Sequence, residues 1–265
     1  MICPITGNAL GYTRHMEDRA GLLIRQRRFT ASAFTADLPD EIDLSGGKIP
    51  VKNQGSVGAC TGFSRATGEE ILNLLRTGQY IELSPQFAYI ENQKAAGMLG
   101  SDNGATIEAS VRAAAETGIC TEAVCPWPGR YVPSVPPAAE PEGRLHLIAG
   151  HAVLTQLPDV RAWLGHRQGP VLIGVTWTEG MSQCLGGIID NIGRPIGGHA
   201  LVLIGYQPGY FLMRNSWGEQ WGSHGNALVA DSLVSQWLTQ GEAIIGISDL
   251  AAWGPRQVNS WEGVA

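Results

Sequence analysis

Apolar positions recur at helical spacing in three stretches of the first half of the chain. Between Thr61 and Arg76, Ile71, Leu74 and Leu75 fall at i, i+3 and i+4, which predicts a helix with that face turned inward. Ser84-Pro85 supplies a side-chain acceptor followed by a proline suited to the first helical turn, and predicts a helix through about Lys94. After Gly104, Ile107, Val111, Ala114 and Ala115 keep an i, i+4, i+7, i+8 rhythm up to a stop at Gly118. Pro126, Pro128, Pro133, Pro136, Pro137 and Pro141 then interrupt regular structure. Beyond them the pattern changes to short continuous apolar runs, Val171–Val175, Leu201–Tyr206 and Tyr210–Met213, which read as strands. A helical part over about 50–125 is therefore followed by a β-rich part over about 140–265.

Two of those strands flank Gln207-Pro208-Gly209 and read as a hairpin. A three-residue loop with Gly209 in the left-handed position places His199 opposite Trp217, so that His199 and Asn215 share a face. A two-residue loop places them on opposite faces, because one step of register flips every side chain. The hairpin is expected to use the odd-numbered loop.

Chemistry enters at Gln54-Gly55-Ser56-Val57-Gly58-Ala59-Cys60, where a glycine-punctuated loop delivers a cysteine to the start of the first predicted helix. The unpaired N–H groups and dipole there lower a thiol pKa, which makes Cys60 a candidate nucleophile. The amide of Gln54 can fold back to join the Cys60 N–H in binding an oxyanion. A cysteine at a helix start is more often a small buried hydrophobe, and a histidine opening an apolar strand is more often a satisfied core residue. What changes the balance is their order: Gln-(five residues)-Cys, then Gly198-His199-Ala200, then Asn215-Ser216-Trp217-Gly218 with Trp221-Gly222.

This order and its flanking residues resemble the papain family of cysteine peptidases over roughly residues 38 to 250. The resemblance implies an α+β, papain-like two-lobe fold, with a helical left lobe, a β-barrel-like right lobe and the active-site cleft between them. It implies Cys60 as nucleophile, His199 as base and then acid, Asn215 as orienter of the imidazole, and Gln54 as oxyanion donor. Trp217 would shield the Asn–His hydrogen bond. Asn103-Gly104-Ala105 is similar to the family's substrate-pairing strip, and Ile107 and Ala200 match positions that line its main specificity pocket. Thr61, in place of the tryptophan usual after the nucleophile in plant and lysosomal enzymes, resembles bacterial members. Val57 and Asp102 stand where the secreted enzymes carry a disulfide beside the active site.

At 265 residues the chain is long enough to bury its cores without covalent staples. A net charge of −6, 16% charged residues and no basic tract argue against nucleic acid as a partner, and no run approaches membrane-span length. A peptide or protein substrate, a monomeric enzyme and no cofactor or metal are the expectations. Cys3, Cys60, Cys120, Cys125 and Cys184 form no disulfide framework and are expected as free thiols, and no secretory signal pattern opens the chain, which favours a cytoplasmic setting or export without a cleavable signal. Residues 1–35 carry Arg14, Arg19, Arg25, Arg27 and Arg28 and a possible helix over Met16–Phe29. They precede the expected peptidase domain, 36–265, as a prosegment-like extension that docks by charge on the acidic body. A peptide-bond hydrolase acting through a Cys60 thioester is the leading expectation. An isopeptidase, amidase or acyl transferase with the same residues, and a silent peptide-binding homologue, are the alternatives.

Overall fold

The computed structural model describes residues 1–14, 37–190 and 193–249. The helical part holds α1 (Cys60–Thr77), α2 (Pro85–Ala96) and α3 (Ile107–Glu116). Each predicted helix is present, and the caps explain their bounds. Ser84 Oγ accepts the Phe87 N–H, Thr106 Oγ1 accepts the Ala109 N–H, and Gly78 and Gly97 close α1 and α2 in left-handed conformation. The buried Arg65 ties the three together: its Nε donates to Glu69 Oε1 at 2.6 Å, its Nη1 to Asn92 Oδ1 at 3.0 Å, and its Nη2 to the Gly118 carbonyl. The predicted helix over Met16–Phe29 lies outside the described residues, and the proline-rich connector contains only the short α4 (Ala139–Gly143).

The β-rich part contains β1 (Ile42–Asp43), β2 (Gly150–Val153), β3 (Val171–Thr178), β4 (Ile188–Ile189), β5 (Pro195–Gln207), β6 (Tyr210–Arg214), β7 (Asn226–Ala230) and β8 (Ala243–Ser248). They form one sheet in the order β2-β8-β3-β5-β6-β7-β4, with β1 added to β5. Helices α5 (Leu157–Gly165) and α7 (Asp231–Gln240) pack on it, and α6 (Glu179–Gln183) follows β3. The main core joins both parts, running from Ile71, Ile107 and Val111 to Trp163, Leu172, Leu203 and Ile245. No helix among the described residues is long and apolar enough to cross a membrane.

The hairpin corrects one expectation. Gln207 pairs with Tyr210, so the loop has two residues, Pro208-Gly209, rather than three. The missing residue is supplied by a bulge between Leu203 and Gly205, beyond which Leu203 faces Met213 and Val202 faces Arg214. The register at the site is the expected one, reached by a different device. Ile204, the bulged residue, gives its carbonyl to the Leu44 N–H, while Gly205 lets β1 close in: a Cβ there would lie 1.9 Å from the Ile42 carbonyl oxygen.

Candidate active site

Strand β5 carries His199 against α1, whose first residue is Cys60, and both side chains are fully buried. The Asn215 Oδ1 sits 2.8 Å from His199 Nε2 and also accepts the Ser216 N–H at 2.8 Å. That second bond identifies Oδ1 as the end facing the imidazole, so Nε2 carries the proton and donates. His199 Nδ1 is left without a hydrogen bond. Trp217 lies over the ring at 4.7 Å between centroids, and Trp177 meets it edge-on at 4.9 Å. Trp177 was not singled out in the sequence. Its only signal is its place at the end of β3, paired with Gly197 two residues before His199.

Gln54 is held by both ends of its amide. Its Oε1 accepts the Ser216 hydroxyl at 2.6 Å, which turns Nε2 toward the Val57 carbonyl at 2.9 Å and the Ala9 carbonyl at 3.1 Å. Asp102, missed as a structural element in the sequence, closes the same loop. Its carboxylate accepts the Gly58 N–H at 3.0 Å through both oxygens and the Tyr89 hydroxyl at 2.8 Å. The Asp102 carboxylate makes a charge-assisted tie between the nucleophile loop and the Gly104-Ala105 loop.

The cleft is occupied by the chain's own N-terminus. Residues 1–10 fold back as a hairpin, with Ile2 bridged to Ala9 and the Cys3 N–H bonded to the Asn8 carbonyl at 2.7 Å. Residues 9–13 then run through the site as an extended strand. The Ala9 N–H donates to the Gly55 carbonyl at 3.1 Å, the Tyr12 N–H to the Gly198 carbonyl at 3.1 Å, and the Thr13 N–H to the Ala105 carbonyl at 3.0 Å. The Ala105 N–H in turn donates to the Gly11 carbonyl at 3.1 Å, a parallel pairing. The strand passes too close for a side chain at Gly11: a Cβ there would lie 1.9 Å from the Gly58 oxygen, and one on Gly104 would lie 1.5 Å from the Gly11 oxygen. Ile107 and Ala200 are buried beside this strand, Trp217 beside the imidazole. Of the five arginines expected to dock the extension, four lie outside the described residues. Arg14 donates to the Gln240 carbonyl and lies 4.0 Å from Glu242. Over residues 1–14, backbone pairing and buried apolar side chains such as Leu10 hold the segment, with charge at one end only.

Burial under this strand reverses the expected thiol shift. Desolvation pushes Cys60 up to about 11, outweighing the backbone N–H groups of Ala200, Gly11, Thr61 and Cys60 that point at the sulfur. Desolvation likewise pulls His199 down to about 4 against the Asn215 bond. In the covered state the pair is neutral. No cluster of His, Cys, Asp and Glu among the described residues is arranged to hold a metal ion.

Residues 38–242 match the model of the papain family of cysteine proteases. Among curated relatives, papain of Carica papaya is 29% identical over 207 residues, covering 71% of this chain and 54% of its own length. Mouse cathepsin K is 29% identical over 209 residues, covering 73% of this chain and 60% of its own. The chain thus spans little more than half of these two relatives. In fold, it superposes on xylellain, a cysteine protease from Xylella fastidiosa, with a TM-score of 0.76, 21% identity and coverage of 94% of this chain and 99% of the other.

Proposed function

Because the chain belongs to the papain family of cysteine proteases, we propose that it is a thiol endopeptidase whose cleft is closed in this structure by its own residues 1–14. In the open form, His199 Nδ1 takes the Cys60 proton while Nε2–H stays on Asn215. The sulfur attacks a peptide carbonyl carbon, forming the C–S bond as the carbonyl electron pair moves onto oxygen. Gln54 Nε2 and the Cys60 N–H bind that oxyanion. Collapse breaks the C–N bond, the imidazolium proton goes to the leaving amine, and water activated by His199 hydrolyses the thioester.

The observation that carries this reading is the Ala9 carbonyl on Gln54 Nε2. The amide assigned to the oxyanion already holds a peptide carbonyl, within the same buried group as Cys60, His199 and Asn215. The covering strand presents the Gly11 N–H to the sulfur. Backbone pairing on both sides, to Ala105 and to Gly198, favours an extended peptide over an isopeptide or a small amide.

The test is labelling of Cys60 by an epoxide or vinyl-sulfone thiol probe, together with a peptide-library cleavage profile. Cleavage of internal peptide bonds that is lost in Cys60→Ala is the expected result. A folded protein that neither labels nor cleaves overturns the reading.

A further inference from the structure

Helix α2 presents two fully buried polar side chains, Tyr89 and Gln93, to the loop that carries Gly104 and Ala105. The Gly104 N–H donates to the Tyr89 hydroxyl at 3.1 Å, and the Gly104 carbonyl accepts Gln93 Nε2 at 3.1 Å. Gln93 Oε1 accepts the Tyr131 hydroxyl at 2.8 Å, which turns Nε2 toward the loop, where it also meets the Ser101 carbonyl at 2.8 Å. Both backbone groups of Gly104 are thus directed inward to α2, while both of Ala105 face the cleft and pair there with Gly11 and Thr13. The same Tyr89 hydroxyl donates to Asp102, whose carboxylate holds Gly58 two residues before Cys60. Burial, and after it the Asp102 carboxylate, raises the phenol pKa, so the proton stays on Tyr89 and a lone pair is left for the Gly104 N–H.

We propose that Tyr89 is a positioning residue for the substrate: with the Gln93 amide, its hydroxyl holds the Gly104-Ala105 strip where Ala105 can pair with the backbone of an extended peptide. The inference rests on the peptidase reading above and adds residues that act on the peptide through the strip. Gly104 stands at φ +79° and has no side chain to fix its own turn. Its cleft side must stay bare, because a Cβ there would lie 1.5 Å from the Gly11 oxygen. The hold therefore comes from behind, and α2 supplies it. Tyr89→Phe leaves the buried Gly104 N–H without this acceptor, while the ring keeps its packing with Val57, Ala59 and Phe63. The loss is then selective: pairing with a peptide amide weakens, and attack by the sulfur on a reagent that makes no backbone pair does not.

The experiment uses the full chain and two peptidyl vinyl-sulfone probes, identical except that the amide N–H facing the Ala105 carbonyl is replaced in one by an ester oxygen. Iodoacetamide serves as the reagent without a backbone. The covering strand slows every reagent by the same open fraction, so ratios of Cys60 labelling rates report the open cleft. The amide probe is expected to label the unaltered chain faster than the ester probe by about three- to tenfold, the range one hydrogen bond commands. In Tyr89→Phe that ratio should fall toward one, and the ratio of amide-probe to iodoacetamide labelling should fall with it. A general disturbance of the site would slow both probes alike and leave their ratio as it was. Should Tyr89→Phe fail to fold, Gln93→Met carries the same test, because it withdraws the amide from the Gly104 carbonyl. An unchanged amide-to-ester ratio in the folded variant, or equal amide and ester rates in the unaltered chain, overturns this inference alone. Labelling by iodoacetamide but by neither peptidyl probe overturns the peptidase reading and this inference with it.

Discussion

At the scale of residues, the peptidase reading separates groups that would do chemistry from groups that hold them. Cys60 contributes little that alanine cannot pack, so Cys60→Ala should abolish hydrolysis with an unchanged circular-dichroism spectrum; residual activity in that variant would assign the nucleophile elsewhere. Gln54→Ala removes one oxyanion donor and should lower kcat by about 10²–10³-fold. The loss should fall on kcat more than on KM, because the interaction matures as charge develops on oxygen. Asn215→Ala should lose less than Cys60→Ala in single-turnover assays, since Trp217 and Trp177 hold the imidazole from two sides. Asp102 is a holding residue of another kind. Asp102→Ala leaves the Gly58 N–H and the Tyr89 hydroxyl without their acceptor, and should cost about 1–3 kcal/mol in chemical denaturation.

At the scale of elements, the peptidase reading makes the strand over the cleft a control on the reactivity of the thiol. Gly11 is its tightest point, so Gly11→Val should expel it through contact with Gly58 and accelerate Cys60 labelling in the otherwise intact chain. Slower labelling in that variant would mean that residues 1–14 brace the active form. Acidity should act in the same direction. Burial holds His199 near 4 against an ordinary 6.5, so between those values the covered form binds fewer protons than a form in which the ring regains water. Lowering pH from about 6.5 to about 4 therefore favours opening. Cys60 gives the opposite window: its ordinary 9.0 rises to about 11 under the strand, so the covered form binds more protons there, and raising pH from about 9 to about 11 also favours opening. Closure should be strongest between about pH 6.5 and 9. The amide-exchange protection of residues 9–13 should peak in that range, and protection that grows steadily toward pH 4 would contradict it. Salt should matter little to residues 9–13, because backbone pairs are not screened as exposed ion pairs are.

At the scale of the whole molecule, stability comes from a core shared by the helices and the sheet, and all five cysteines are free thiols. Mild reductant should therefore leave the melting temperature unchanged while keeping Cys60 reduced. A marked fall on reduction would reveal a covalent bridge, with Cys120 and Cys125 the first pair to examine. Arg65 is the polar counterpart of that core. Arg65→Met strands the buried Glu69 carboxylate, already raised in pKa by burial, and should cost about 3–5 kcal/mol. Adding Glu69→Gln should recover part of that loss.

The helices were legible in the sequence because their signals are local: apolar spacing, Ser84 before a proline, glycine at the stops. The order of Gln54, Cys60, His199 and Asn215 was legible for the same reason, each lying in its own short motif. Strands β2, β7 and β8 and helices α5 and α7 were not read, because their short apolar runs carry no period that separates strand from helix without knowledge of partners. The bulge at Ile204 was invisible for a related reason: the hairpin tip obeys Pro208-Gly209, and the extra residue is placed where β1 presents Leu44 to receive it. Asp102 and Trp177 acquire roles only through neighbours distant in sequence, Gly58 and His199. The direction of the thiol shift shows the limit most plainly. The sequence places Cys60 at a helix N-terminus, where dipole and N–H groups lower its pKa. The tertiary structure lays Gly11 over it, and desolvation, which depends on what covers a group and not on where it stands in the chain, outweighs them.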